Sequence, residues 1–531
     1  MRPWCQPASP KAIERLPECI ASGLWGLTTG LARIDRAWRR RLARQYLDSR
    51  QRLEQVLSSV GSFVGDWFNH ELAPAAGAPS RVTLQSLEQL EARAYLAVVP
   101  LSITTASLVG GGQQLRITAS NYSDRISITR SSTGLVLRNN TWTTSVKGNL
   151  KSIFVNAGRG HDLISVSSSI TSQMSIYGGA GNDTIYGGSG ADKLYPGDGI
   201  DRILAGAGDD TIVGISGGYD GINGGAGLDS FWIDPTDRIA DTEASEIDSA
   251  AVHLVDQFIQ YRTVDSYNNE IYTDVSTELL GQRLLDPLVT SNVIVYRNFS
   301  RNPLFSDAGP LSTDIRQGQV GDCYFLAVLA SVAKLNPNLI RQSIVELGDG
   351  TYAVRYYFDD QPMYVRIDGD LPTGMKSGNL VYAQLGAASS TWVALMEKAY
   401  AFYRNWDGSY AGLSSGWMSE GYWALGKQSY STFRTDPRSI NLLETIRQDL
   451  DAGKSVTYAA GDPGNAPLIG YHAYAVEDVT VDASGTAVQL KLRNPWGIDG
   501  AGNDGSDDGV VTVTEAQAKA SMLGVVSASL E

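Results

Sequence analysis

The sequence predicts a multidomain chain of mixed α and β class: a helical N-terminal segment, a parallel β-roll, and a two-lobed α+β domain. Three observations lead there. The chain has 531 residues, more than one ordinary core organises. Helical spacing of apolar residues in the first part gives way near residue 101 to short alternating runs. From residue 178 a nine-residue unit recurs with an aspartate and an apolar residue in fixed register.

Residues 1–79 read as helices. Arg33, Arg36, Arg39, Arg40, Arg41 and Arg44 alternate with Leu31, Ile34, Trp38, Leu42 and Leu47 at three- and four-residue spacing. That pattern makes an amphipathic face with a basic edge, either solvated or lying on a membrane surface. Within residues 80–100, Leu87-Glu88-Gln89-Leu90-Glu91-Ala92-Arg93-Ala94-Tyr95-Leu96 resembles a short signature near the N-termini of many exported bacterial proteins. The chain lacks the basic start, apolar stretch and small-residue cleavage site of a signal peptide, and no apolar run is long enough to span a bilayer.

Residues 101–237 form the β-rich region. Gly178-Gly179-Ala180-Gly181-Asn182-Asp183-Thr184-Ile185 opens a series that places Asp183, Asp192, Asp201, Asp210, Asp220 and Asp229 at steps of 9, 9, 9, 10 and 9. Two residues after each comes an apolar side chain: Ile185, Leu194, Ile203, Ile212, Ile222 and Phe231. The glycines permit turns closed to other residues. Turn carbonyls and aspartate carboxylates together suit Ca²⁺, and the apolar residue faces inward from a short strand. A flexible linker would not keep that register. The unit resembles the repeats-in-toxin (RTX) family over roughly residues 156–232, with Asn156–Ile164 as a decayed copy. Pro196 in place of a leading glycine and the extra residue between Asp210 and Asp220 are departures from it. Residues 238–300 read as a partly helical connector.

Residues 301–531 carry the chemistry. The cysteines are Cys5, Cys19 and Cys323, which is no disulfide framework. Cys323 follows Gln317-Gly318-Gln319-Val320-Gly321-Asp322 and precedes an apolar helix-forming run, which places its sulfur at a helix N-terminus, where the thiolate is favoured. Taken alone, such a cysteine is more often a packing residue. A base is available at His472, in the strand-like Gly470-Tyr471-His472-Ala473-Tyr474, whereas His253 sits in the connector. Asn494, in Asn494-Pro495-Trp496-Gly497, can orient an imidazole through its amide oxygen, and Trp496 can shield that bond from water. The Gln317 side chain and the Cys323 backbone N–H are candidate oxyanion donors.

These motifs, in this order, resemble the calpain branch of the papain-like cysteine proteases over roughly residues 301–500. Trp392–Tyr400 and Met418–Gly421 add to the likeness. The resemblance implies a two-lobed papain-like fold with Cys323 as nucleophile, His472 as base, Asn494 as orienter and Gln317 as oxyanion donor. It also implies substrate contacts at Gly416 and Trp496, and structural calcium at Asp314 and Glu397. Three departures are visible. Tyr471 stands where calpains have glycine, the His472–Asn494 interval is long, and the segment after Trp496 is short. Asp499, Asp504, Asp507 and Asp508 there suit either a metal or water.

The expected activity is therefore calcium-dependent hydrolysis of peptide bonds through a thioester, acting on protein or peptide substrates. The alternatives are an adhesion protein with an inactive domain, or an acyltransferase with the same triad. A net charge of −14 argues against nucleic acid as a partner. Extracellular calcium modules bind at roughly 10⁻⁴–10⁻³ M, which points to secretion or the bacterial cell surface.

Overall fold

The computed structural model describes residues 101–531 except 109–110, 149, 216, 242–250, 265–269, 282, 407 and 502–505. The expected N-terminal helices, Cys5, Cys19 and the Leu87–Leu96 segment lie outside the described residues. Among the described residues no helix is long and apolar enough to cross a membrane.

The repeats wind as a β-roll of two eight-stranded sheets. One runs from Ser102–Ser107 through Gln173–Ala180, Lys193–Asp198 and Thr211–Gly214 to Val252–Leu254. The other includes Thr184–Tyr186, Arg202–Ala207 and Gly221–Ala226. Successive nine-residue units go to opposite sheets, so the parallel neighbour of a residue lies two units away. Leu194 pairs with Ile176 and Ile212, and Ile203 with Ile185 and Ile222. The six predicted apolar residues are all fully buried between the sheets. Their inward direction follows from the period-two alternation of each short strand. At Gly181 (φ 139°) a Cβ would come 1.5 Å from the Gly160 carbonyl oxygen of the adjacent coil, so stacking at this spacing demands glycine there.

The described residues of the connector form strands. Arg238–Ile239 and Val252–Leu254 are the last rungs of the roll, and Ile294–Asn298 pairs antiparallel with Asp370–Gly374 of the following domain. Strands whose partners are remote in sequence leave no local period to read.

The C-terminal domain has two lobes. In the first, the helix Cys323–Leu335 is buried along most of its length against Trp392–Tyr403, Met418–Ala424 and an antiparallel sheet of Ile344–Glu346, Thr351–Phe358 and Gln361–Asp368. The second is a six-stranded antiparallel sheet in which His472–Val481 lies between Ser455–Ala460 and Ala487–Arg493. Leu442–Asp451 covers it, with Tyr458, Tyr474, Leu490 and Leu492 in the core.

The roll packs on the first lobe. Tyr195, Trp232 and Phe258 share a core with Val345, Leu347 and Tyr364. A Cβ at Gly348 would meet the Tyr195 ring at 2.6 Å. Beneath this layer, Ser230 donates to Gln342 Oε1 (2.7 Å), and His253 Nε2 lies 3.0 Å from the same oxygen. Burial and the neighbouring Arg355 guanidinium push His253 well below its ordinary range, so it packs neutral against Trp232. Trp232→Ala is expected to cost about 3–5 kcal/mol by chemical denaturation, since it opens a cavity and leaves Ser230 a partner short. A change below about 1 kcal/mol would show that this layer is not a shared core.

Candidate active site

The turn before the cysteine helix is closed by side chains from several elements. Asp322 precedes the helix without capping it. Its Oδ1 accepts from Gln317 Nε2 (3.0 Å), and its carboxyl faces Glu397. Glu397 also accepts the Ala383 N–H (3.0 Å). Both carboxyls are fully buried, and burial drives both upward, so the pair holds a proton at neutral pH. Gln317 spends its second amide N–H on the Val320 carbonyl (2.7 Å). In this conformation, then, the expected oxyanion donor has both hydrogens engaged within its own loop.

Cys323 is partly buried at the first position of its helix. The backbone N–H of Ala473 reaches its sulfur, so the thiol meets the strand beginning at His472. Burial, and then the charge of Asp322, push the thiol above its usual range despite the helix N-terminus. His472 is buried, and burial pushes its imidazole down. Its Nε2 lies 2.8 Å from Asn494 Oδ1, which also accepts the Trp496 backbone N–H (3.0 Å). Asn494 Nδ2 donates to the Asp499 carbonyl (3.4 Å), which fixes which way the amide points. The Trp496 ring lies beside the imidazole, with centroids 5.0 Å apart. A main-chain bond from Gln317 N–H to Pro495 O (2.7 Å) ties the loops of the two lobes together.

Gly416 stands over the residue after Cys323. A Cβ there would enter the Tyr324 ring at 2.5 Å, so only glycine fits. Arg404, which stands in no motif, holds this loop. It donates to the carbonyls of Gly412 (2.7 Å) and Ser415 (2.8 Å) and to Glu420 (2.9 Å). Ser415 N–H in turn bonds Gly321 O (3.0 Å), linking the loop to the cysteine turn.

Residues 295–518 match the family model for the calpain family cysteine protease, and residues 175–203 match the RTX calcium-binding nonapeptide repeat. The C-terminal domain is a calpain-family domain. Mouse (Mus musculus) calpain-8 is 35% identical over 241 residues, covering 41% of this chain and 33% of the relative. The human (Homo sapiens) calpain-2 catalytic subunit is 32% identical over 212 residues, covering 37% of this chain and 29% of the relative. The chain thus spans about a third of the length of the relatives it matches.

Tyr471 has φ 55°, in the left-handed region that favours glycine. The two carboxylates expected to share calcium in the core are held by separate partners. Asp314 accepts from Leu311 N–H, Ala387 N–H and Trp392 Nε1–H at 2.7–3.0 Å and so fastens the loop ahead of Gln317. Glu397 faces Asp322 and Ala383. Among the described residues no three His, Cys, Asp or Glu side chains gather as a metal cluster.

The roll meets the chemistry of a cation in another way. The N–H groups of turn aspartates donate to carboxylates on the neighbouring coil: Asp162 to Asp183, Asp183 to Asp201, Asp201 to Asp220 and Asp220 to Asp237, at 2.6–2.9 Å. Asp192 and Asp210 donate in the same manner to Asp210 and Asp229. One oxygen each of Asp162, Asp183, Asp201, Asp210 and Asp220 is buried without a protein partner. Burial, and in most cases neighbouring carboxylates, raise these groups: Asp201 and Asp220 to about 7, Asp210 to about 8. Orphaned carboxylate oxygens among glycine turns fit a calcium ion. Asp192 differs, because the Met174 and Gly188 N–H groups occupy both of its oxygens.

Proposed function

We propose that the chain is a calcium-dependent cysteine endopeptidase in which Cys323 is the nucleophile, His472 the general base and Asn494 the orienter. The observation that carries this reading is the buried His472–Asn494 bond at the start of the strand whose next N–H contacts the Cys323 sulfur. With Nε2 turned to Asn494, the other ring nitrogen is the one available to the thiol. The imidazole takes the thiol proton, and the sulfur adds to the peptide carbonyl carbon. As the tetrahedral centre collapses, the C–N bond breaks and the imidazolium gives its proton to the leaving amine. Water activated by the same imidazole then hydrolyses the thioester. The oxyanion faces the backbone N–H of Cys323, with Gln317 joining by exchanging its Val320 bond. Calcium bound in the roll supplies the positive charge that its buried carboxylates lack. RTX repeats occur in secreted bacterial proteins, and secretion or the cell surface is the setting this reading implies.

The test is covalent labelling of the full chain with a peptidyl electrophile, located by mass spectrometry. Cys323 is the expected site, and Cys323→Ala abolishes the adduct. The thiol lies above and the imidazole below their ordinary ranges, so both are neutral near pH 7 and the thiolate accumulates only as pH rises. Labelling should climb from pH 6 to 9, and Asp322→Asn should accelerate it at pH 7 by removing the charge that disfavours the thiolate. Labelling that ignores Cys323 would refute the assignment.

A further inference from the structure

Tyr471 is anomalous in two independent respects. Its backbone sits at φ 55°, which a residue with a Cβ adopts at an energetic cost, and its side chain is 80% exposed. Its N–H is fastened to the Gly461 carbonyl (3.1 Å), and Gly461 N–H to the Ser521 carbonyl (2.7 Å), so the surrounding turn holds the strained conformation in place. No hydrogen bond or ring contact engages its side chain among the described residues. The fold gains nothing visible from the ring. Glycine would relieve the backbone. Strain without intramolecular return is characteristic of positions that serve a ligand.

The position says which ligand. Tyr471 adjoins His472, and Trp496 flanks the same imidazole from another loop. On the protease reading, His472 must deliver a proton to the departing amine, so that nitrogen comes within hydrogen-bond reach of the ring. The residues following the scissile bond therefore lie over this end of the strand, within reach of an exposed side chain one position before the base. A tyrosine ring offers a flat apolar face and favours aromatic or other flat apolar partners.

We propose that Tyr471 is a specificity-determining residue on the leaving-amine side, selecting substrates with an aromatic or bulky apolar residue in the first two positions after the cleaved bond. The inference rests on the protease reading above. It assigns the strained tyrosine to substrate choice and leaves the bond-breaking steps to the triad.

The experiment compares the full chain with Tyr471→Gly, Tyr471→Ala and Tyr471→Phe on two peptides that differ only after the scissile bond, phenylalanine against glycine. The ratio of kcat/KM for the two peptides is the readout. It should fall about tenfold in Tyr471→Gly and Tyr471→Ala and be retained in Tyr471→Phe. Tyr471→Ala keeps the left-handed strain without the ring, so equal loss in both small variants separates substrate contact from backbone relief. Tyr471→Gly should also melt at a higher temperature than Tyr471→Ala. An unchanged ratio in Tyr471→Gly and Tyr471→Ala overturns the proposal. A peptidyl electrophile with residues only before the scissile position reports on the triad separately. Labelling at Cys323 with an unchanged ratio defeats the Tyr471 assignment alone, whereas absent labelling defeats both.

Discussion

Chelating calcium at pH 8 is expected to melt the β-roll, with loss of its β signal in circular dichroism, and returning Ca²⁺ restores it. The coils between Asp162 and Asp237 stack carboxylates that burial and mutual repulsion raise to about 7 or 8 at Asp162, Asp201, Asp210, Asp220 and Asp237. The sign follows from linkage. Folded values above the unfolded value of about 4 mean that the calcium-free roll binds more protons than the unfolded chain. Its stability is therefore greatest near pH 4 and falls as pH rises through the folded values. In chelator, acidification from pH 8 to 5 should raise the melting temperature of the roll. Calcium reverses the dependence, because it binds the ionised form and competes with protons. Each site held at about a hundred times its Kd adds about 2.7 kcal/mol. The roll also shares a core with the Ile344–Asp368 sheet, so its melting exposes Tyr195 and Trp232 and removes support from the first lobe. Equal melting temperatures in chelator and in calcium at pH 8 would defeat the cation's role in the roll.

Legibility in the sequence followed the range of the interaction that decides each element. The roll was readable because a glycine turn, an aspartate and an inward apolar residue recur within nine positions, and Ile185 to Phe231 are buried as that register requires. Its earlier coils were not counted as repeats. Leu115 and Ile117 lie in the same core, but the turn that follows them, Ser120-Asn121-Tyr122-Ser123-Asp124, contains no glycine. Ile294–Asn298 was invisible for a stronger reason, since its partner strand lies at Asp370–Gly374. In the site, Cys323, His472 and Asn494 stood out because each sits in a short motif of uncommon residue types. What the motifs do not carry is the occupancy of their hydrogen bonds. Gln317 is engaged within its own loop by Val320 and Asp322, which a motif does not display, and the hold of Ala387 and Trp392 on Asp314 and of Ala383 on Glu397 depends on segments outside the motifs. Arg404 illustrates the same limit. A surface arginine by composition, it holds three elements around the Gly416 loop.

Replacing Cys323 with alanine is expected to reduce peptide hydrolysis on the order of 10⁶-fold, and His472→Ala by a similar factor, since a nucleophile and its base act as a unit. Asn494→Ala should fall between these variants and the intact chain, with a loss of about 10²- to 10⁴-fold, because the imidazole survives without its orienter. Asn494 has structural duties as well. It receives the Trp496 N–H and donates to the Asp499 carbonyl, so alanine there also loosens the loop that covers His472. Asn494→Asp separates the two roles. A carboxylate still accepts from Nε2 but opposes the Asp499 carbonyl, and its negative charge raises the imidazole from the low range that burial imposes. The acidic limb of the kcat/KM profile should therefore move to higher pH in Asn494→Asp, and further than in Asn494→Ala, where the loosened loop only lessens the burial of the imidazole. An unmoved limb would mean that Asn494 does not contact the titrating imidazole, and Cys323→Ala with intact turnover would remove the thiol from the chemistry altogether.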